Sequence, residues 1–557
     1  MHRMQHAFRP RHVAAACALA LAGPAVAVDL PSAGSLLQDL RPPAAVVPRP
    51  DAPVLPQAEP LRAPMTQGDG VRLRVERVRV TGATVFPAGQ LQALVQDAAG
   101  QELDFAGLEA LAARISRFYR QRGYTVARAY LPQQDIRDGV VEIAVLEGRF
   151  DAISVHRAGG VEAPLPLAAL APGQVVTDAA LERSLLLASD VPGIAVRSTL
   201  QPGASVGTSE LVVDVVPGDR YTGALEADNF GSRSTGHARA GGTVNVNDAT
   251  GRGDLATLKM LTSEGLNYLR AGYQLPVGAA GTRAGVAWSG MHYRLGREFE
   301  PLDANGTARI ATVFVAHPLL RSRAANVNLQ LSVEDKQLRD RVDAVSAVTD
   351  KSVHLLNLGL SGDWRDAWAG GGVTVLSATF THGDLDIESA AARAVDEVSA
   401  RTAGGYGKFS LAALREQVLG PATTLQAAFT GQWADKNLDA SEKLSLGGVG
   451  GVRAYPQGEA PSDRAGLLTV ELRQAIAPGW QLQAFVDAAH GALNAQPYPG
   501  APADNRRTLR GAGLGLAWTG PDGWYAGITY AQRLGDEPST AEPDRRERVW
   551  LQASRRF

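Results

Sequence analysis

Side chains able to do chemistry are few in this chain, and their spacing excludes more than it suggests. The seven histidines beyond residue 27 (His156, His237, His292, His317, His354, His382 and His490) show no metal-ligand spacing, so no metal site is expected. Gly447 to Gly451 is glycine-rich enough to cradle a phosphate. No Gly-Lys-Ser/Thr follows it and no β-α-β unit surrounds it, so no nucleotide or other cofactor is expected. Arg252-Gly253-Asp254 has the form of an adhesion triplet, but it lies in a turn between two strands, where solvated hairpin chemistry accounts for it. No Ser/His/Asp order stands out, and an enzyme is not expected. One carboxylate is placed with more purpose. Leu482, Ala484 and Val486 alternate along one apolar face, which turns Phe485 and Asp487 to the opposite, polar one.

The elements that must position such residues come from composition and pattern. The 557 residues are too many for one ordinary domain. Lys and Arg total 55 against 57 acidic residues, a net charge of −2, which gives no basic footprint for nucleic acid. Residues 1–27 combine Arg3, Arg9 and Arg11, a short apolar run and an Ala25-Val26-Ala27 cleavage form, which is a secretory signal peptide. Its removal takes away the single cysteine, Cys17, and three arginines, leaving 52 basic residues against 57 acidic and no disulfide. Within residues 28–40, Leu36, Leu37 and Leu40 suit a short amphipathic helix. Residues 41–70 then form a tether, with eight prolines between 42 and 64.

Residues 71–149 read as a strand at 71–81, a helix at 87–98, a helix capped by Asp104 that aligns Leu108, Leu111, Ile115 and Phe118, and strands at 125–131 and 140–146. Residues 150–217 repeat the order β-α-α-β-β, with a strand at 150–155, helices at 165–171 and 178–188, and strands at 194–200 and 210–216. From 218 to 557 helical signals nearly vanish and strict alternation recurs between Gly, Asp and Asn turns. One face of each strand is apolar; the other carries Glu, Arg, Gln and Asn, as a wet lumen requires. At roughly 20 residues per strand and connection, this stretch makes a 16-stranded antiparallel transmembrane β-barrel.

Signal, short helix, proline tether, two α+β units and a barrel ending in Phe557 together resemble the two-partner secretion transporters, the hemolysin secretion/activation proteins of the Omp85 superfamily. Gly123-Tyr-Thr-Val-Ala-Arg-Ala-Tyr-Leu-Pro-Gln-Gln134 is similar to the signature of that family's first POTRA domain. Asp190-Val-Pro-Gly193 and Gly207-Thr-Ser-Glu-Leu-Val-Val213 are similar to the second. Asp228-Asn-Phe-Gly231, Gly251-Arg-Gly-Asp254 and His317-Pro-Leu-Leu-Arg-Ser322 look like barrel segments of the family. Gly447-Gly-Val-Gly-Gly-Val-Arg-Ala-Tyr455 resembles its long sixth loop, whose arginine folds back into the barrel.

The resemblance implies a lumen pair of Arg453 with Asp487, supported by Val452, Tyr455 and Phe485, and a plug formed by Leu36, Leu37 and Leu40. It departs at Ala454, where the family usually has glycine; a positive φ there would penalise alanine. The implied protein is an outer-membrane pore with periplasmic POTRA domains, a monomer in contact with outer-membrane lipid. It would bind an unfolded TpsA-type exoprotein at its POTRA domains and export it without nucleotide hydrolysis. An insertase of the same superfamily and a surface receptor or adhesin barrel are the alternative readings.

Overall fold

The computed structural model describes residues 30–40, 72–160 and 162–557. The expected signal peptide with Cys17, and the tether at 41–70, lie outside the described residues.

The first soluble unit is built on the three-stranded sheet Arg77–Thr81, Val140–Leu146, Arg128–Tyr130, in that spatial order, the first pair parallel and the second antiparallel. Its main helix, Phe105–Arg120, starts where Asp104 accepts a hydrogen bond from the Gly107 N–H at 2.8 Å, satisfying one of the donors a helix start leaves open. Leu108, Leu111, Ile115 and Phe118 fall on one face by helical spacing, and that face packs on the sheet. The shorter helix Ala88–Ala93 adds Leu91 to the same core. A two-residue ladder, Leu73–Arg74 with Glu102–Leu103, lies beside this sheet.

The second unit has the matching sheet Arg149–Arg157, Thr208–Pro217, Ile194–Pro202, but among its described residues only one helix, Asp178–Ser189. The helix expected at 165–171 does not form; that stretch is irregular with one turn. Pro164, Pro166 and Pro172 explain it: proline lacks the donor a helix needs and disfavours helical backbone in the residue before it. Leu165, Leu167 and Leu170 still pack into the core, which is why their spacing looked helical.

Sixteen strands, from Tyr221–Asp228 to Glu547–Arg556, pair antiparallel with their neighbours and close into one barrel. The seam uses five register pairs between Ala224–Asp228 and Gln552–Arg556, extended by hydrogen bonds between Gly223 and the terminal Phe557. Alternation decides which side faces lipid. In Ala347–Asp366, Leu356, Leu358 and Leu360 point outward and are exposed, while Val353 and Leu355 point inward and are buried. Trp364, Trp480 and Trp524, at strand ends, and Trp368, in the turn after Asp366, stand exposed on the side of the barrel nearest the second unit, as an interfacial aromatic girdle does. Among the described residues no helix is long and apolar enough to cross a membrane; the strands do that work.

The second unit is fastened to the periplasmic turns of the barrel. Asp190 accepts two hydrogen bonds from Arg321, both 2.7 Å, and its carbonyl accepts one from Arg283 at 2.6 Å. Arg183 donates to the carbonyl of Pro318 at 2.7 Å. Two segments quoted separately from the sequence, 190–193 and 317–322, thus meet at one joint. The Arg252-Gly253-Asp254 turn lies there too. Asp254 is fully buried and accepts from the Thr250 N–H and hydroxyl, both at 3.0 Å, so the turn is packed rather than solvated, and its carboxylate cannot be offered to a receptor. Gly253 has φ +71°, and a side chain on it would strike Val191.

Candidate functional site in the barrel lumen

The segment 435–463 joins Thr423–Ala434 to Arg464–Ala477 and folds back inside the barrel. Glycine makes its tip possible: Gly448 has φ +103°, and a Cβ on Gly451 would lie 2.4 Å from the Leu446 carbonyl. That fold carries Arg453 to the wall. Its Nε and Nη2 each donate to Asp487 at 2.9 Å, its backbone N–H donates to the same carboxylate at 3.1 Å, and Nη1 donates to Glu471 at 2.7 Å. Its guanidinium lies 3.3 Å from the ring centre of Phe485, a cation–π contact. Thr469 donates to Asp487 at 3.0 Å and Arg473 to Glu471 at 2.8 Å, so both carboxylates are satisfied as well as buried. Trp550, on the last strand, donates to the Arg453 carbonyl at 2.8 Å and ties the loop to the seam strand.

The structure therefore brings Arg453, Asp487 and Phe485 together. Val452 and Tyr455 are fully buried beside them in one apolar cluster with Leu446, Leu509 and Ala531. The Tyr455 hydroxyl donates to the Glu537 carbonyl at 2.9 Å. Ala454 is not in the left-handed region. Its methyl fills the space over Gly511, where any added Cβ would come within 2.7 Å of it. Glycine's freedom is unnecessary at this position, and the expected strain is absent.

Sequence reasoning missed most of the loop's other anchors. Glu442 is buried between Lys336 at 2.6 Å and Lys408 at 2.7 Å. Asp439 pairs with Lys351 at 2.7 Å, and Asp463 with Lys443 at 3.3 Å. Glu459 accepts from Arg507 at 3.1 Å and from the N–H groups of Thr540 and Ala541, both at 2.9 Å. Glu471 could have been found from alternation, since Leu468, Val470 and Leu472 face lipid and turn 469, 471 and 473 inward. Only the pairing register places it opposite Phe485.

The helix Ala33–Gln38 sits in the same lumen. Ser32 and Ser35 cap each other's backbone N–H groups, which starts the helix. Leu36 and Leu37 are buried and Leu40 is half-buried against inward-facing wall residues that include Leu261, Met291, Tyr293 and Leu338. Asp340 accepts from the Ala33 N–H at 2.7 Å and from the Tyr293 hydroxyl at 2.5 Å, fixing the helix start to the wall. The other end touches the loop: Gln38 donates to the Ser441 carbonyl, and Gln457 donates to Asp39 at 3.2 Å. A Cβ on Gly34 would lie 2.7 Å from the Ser441 nitrogen, so only glycine permits this approach.

Outside the barrel, Glu147 holds the first unit at its junction with the second. It accepts from the N–H groups of Thr84 at 2.6 Å and Val85 at 2.7 Å, from the Tyr119 hydroxyl at 3.0 Å, and from the Thr84 hydroxyl. Burial pushes its pKa up, but these hydrogen bonds outweigh burial and hold the carboxyl below its ordinary value of 4.5.

Comparison with known proteins fits this geometry. Residues 207–518 match the family described as haemolysin secretion/activation protein ShlB/FhaC/HecB, and residues 73–148 match the ShlB-type POTRA domain. The heme/hemopexin transporter protein HuxB of Haemophilus influenzae strain 86-028NP is 26% identical over 480 residues, 84% of each chain. The outer membrane transporter CdiB of Escherichia coli O6:K15:H31 strain 536 is 25% identical over 419 residues, 72% of this chain and 69% of that one. The solved structure of CdiB from Escherichia coli shares the fold, with a TM-score of 0.69 at 22% identity, over 91% of this chain and 94% of that one.

Proposed function

The chain belongs to the haemolysin secretion/activation family of two-partner secretion transporters in the Omp85 superfamily, and on that premise we propose that it exports one or a few dedicated large exoproteins across the outer membrane. The barrel lies in the outer membrane and the two sheet-and-helix units lie in the periplasm. The observation that carries the reading is a lumen filled by two elements of the chain itself. A 16-stranded barrel is wide enough for an aqueous channel. Here the helix Ala33–Gln38 and the loop 435–463 occupy it.

The two closures differ in strength. A six-residue helix is not stable alone in water, so this one folds only where it is docked. Burying Leu36 and Leu37 is worth at most about 3–6 kcal/mol together, with Asp340 adding one hydrogen bond. The loop is held by several buried ion pairs and is the firmer element. The helix leaves first when a passenger enters, and its tether keeps it near enough to return. Residues 36, 37 and 40 are thus the plug, and Arg453 with Asp487 is the latch of the loop.

The passenger arrives unfolded at the periplasmic sheets. Ile194–Pro202 pairs with Thr208–Pro217 on one side only, which leaves the other side of this edge strand, over residues 195–201, open to an extended chain. Main-chain pairing there gives affinity without demanding one passenger sequence. No step uses a nucleotide; folding of the passenger outside supplies the direction. The pore acts as a monomer and is not an enzyme.

The test is co-expression with a candidate exoprotein in a host lacking such a transporter, scoring the intact exoprotein in the medium. Export that depends on this chain, and is lost when residues 72–217 are deleted, supports the reading. A correctly inserted barrel that exports none of the candidates encoded beside it contradicts the reading.

A further inference from the structure

The outward surface of the barrel has a cleft that secretion does not use. Phe380 pairs in register with Phe409, and Phe409 with Trp433, so three aromatic side chains stand in one row on the lipid-facing side. The Phe409 and Trp433 rings are 5.9 Å apart and close to parallel. Directly above this row, toward the outside of the cell, His382 pairs with Gly407 and Asp384 with Gly405. The two glycines present no side chain where the neighbouring strands do. The result is a cleft of about 780 Å³, floored by Gly405 and Gly407 and bounded by the aromatic row, His382, Asp435 and Arg464.

Its height and charge identify the occupant. Trp433 lies ten residues above Thr423, where its strand leaves the periplasmic turn. At the tilt of a barrel strand that is roughly 25 Å of vertical rise, the height of the apolar band of such barrels. The aromatic row therefore marks the outer boundary of the hydrocarbon, and the glycine floor sits at headgroup level. Arg464 donates through Nε to the Ala434 carbonyl at 2.8 Å. Among the described residues no carboxylate lies within ion-pair distance of it, so its guanidinium charge is not neutralised by the protein. Asp435 uses one oxygen to accept from the Gly407 N–H at 2.9 Å and stands exposed at the cleft.

A cation at this level selects an anionic headgroup. An adjacent carboxylate repels a bare anion but accepts hydrogen bonds from hydroxyl groups. Aromatic faces below suit the apolar side of a sugar ring and the acyl chains beneath it. We propose that this cleft binds a phosphorylated glycolipid of the outer leaflet, with a phosphate on Arg464, sugar hydroxyls on Asp435 and His382, and acyl chains along Phe380, Phe409 and Trp433.

The full-length protein, reconstituted in phosphatidylcholine nanodiscs containing a small fraction of bisphosphorylated lipid A, tests this by native mass spectrometry of the lipid retained after release. The wild-type protein retains lipid A. Arg464→Gln lowers retention by about tenfold, the loss of one charge-assisted contact. Gly405→Leu fills the cleft and abolishes retention; a Cβ there meets Asp384 at 3.8 Å and the Gly383 carbonyl at 4.0 Å, both ordinary contacts, so the strand keeps its place. Heat-modified gel mobility checks that both variants are folded. Lipid A stripped of its phosphates is retained as weakly as by Arg464→Gln, and inorganic phosphate does not displace the intact lipid. Equal retention by all three proteins overturns the proposal. So does displacement by inorganic phosphate, or equal retention of phosphatidylglycerol, since either reduces the cleft to a general anion site.

Discussion

Arg453 makes four hydrogen bonds to two buried carboxylates and lies on an aromatic ring, an arrangement that lysine cannot copy. Removing the guanidinium leaves the buried Asp487 without its cation, a penalty of about 3–5 kcal/mol for a buried pair, and leaves Glu471 to Arg473 alone. Arg453→Ala is expected to release the loop and strongly reduce export, while heat-modified mobility shows the barrel still folded. Arg453→Lys should resemble the alanine variant, and unchanged export in either would exclude the latch role. Glu147 gives a prediction of different kind. Its carboxyl titrates lower folded than unfolded, so its contribution to stability is present above about pH 4.5 and is lost as pH falls through the folded value. A fragment of residues 72–217 should lose stability toward acid, and Glu147→Gln should flatten that dependence in denaturant titrations. An unchanged slope would contradict the assignment. Asp487 was legible because alternation alone turns it inward. Alternation turns Glu471 inward in the same way, but its pairing with Arg453 was not legible, nor were those of Asp340 and of Glu442 in the loop, because only the fold brings each to its partner.

At the scale of elements, strands and capped helices were readable because each has a local cause. Asp104 and Thr177 both accept a hydrogen bond at a helix start, and period-two patterning is plain in barrel strands such as Ala347–Asp366 and Trp480–Ala492. The second unit misled because Leu165, Leu167 and Leu170 are spaced for burial while the prolines among them forbid the helix. The docked helix Ala33–Gln38 was visible as three leucines, but its dependence on Gly34 was not, because that glycine answers to Ser441, some four hundred residues away. Deleting residues 30–40 should raise ion conductance in planar bilayers, and Gly34→Leu should raise it similarly by preventing docking. Unchanged conductance in the deletion would remove the plug role.

For the whole molecule, the division between periplasmic units and barrel predicts that a chain ending near Pro217 is soluble and folded. An insoluble product would mean that the units need the barrel to fold, through the joint of Asp190 with Arg321. The bland composition, 45% hydrophobic, with no membrane helix among the described residues, is what a barrel produces when it spreads apolar residues over alternate positions. The central claim is dedicated export, and one measurement tests it without naming the passenger in advance. The gene is deleted in its native cell, and quantitative mass spectrometry compares proteins outside the cell and in the outer membrane. One or a few large exoproteins are expected to disappear from outside and return with the wild-type chain but not with Arg453→Ala, while other barrel proteins keep their levels. An unchanged set of external proteins, or a broad loss of outer-membrane barrels, would contradict it.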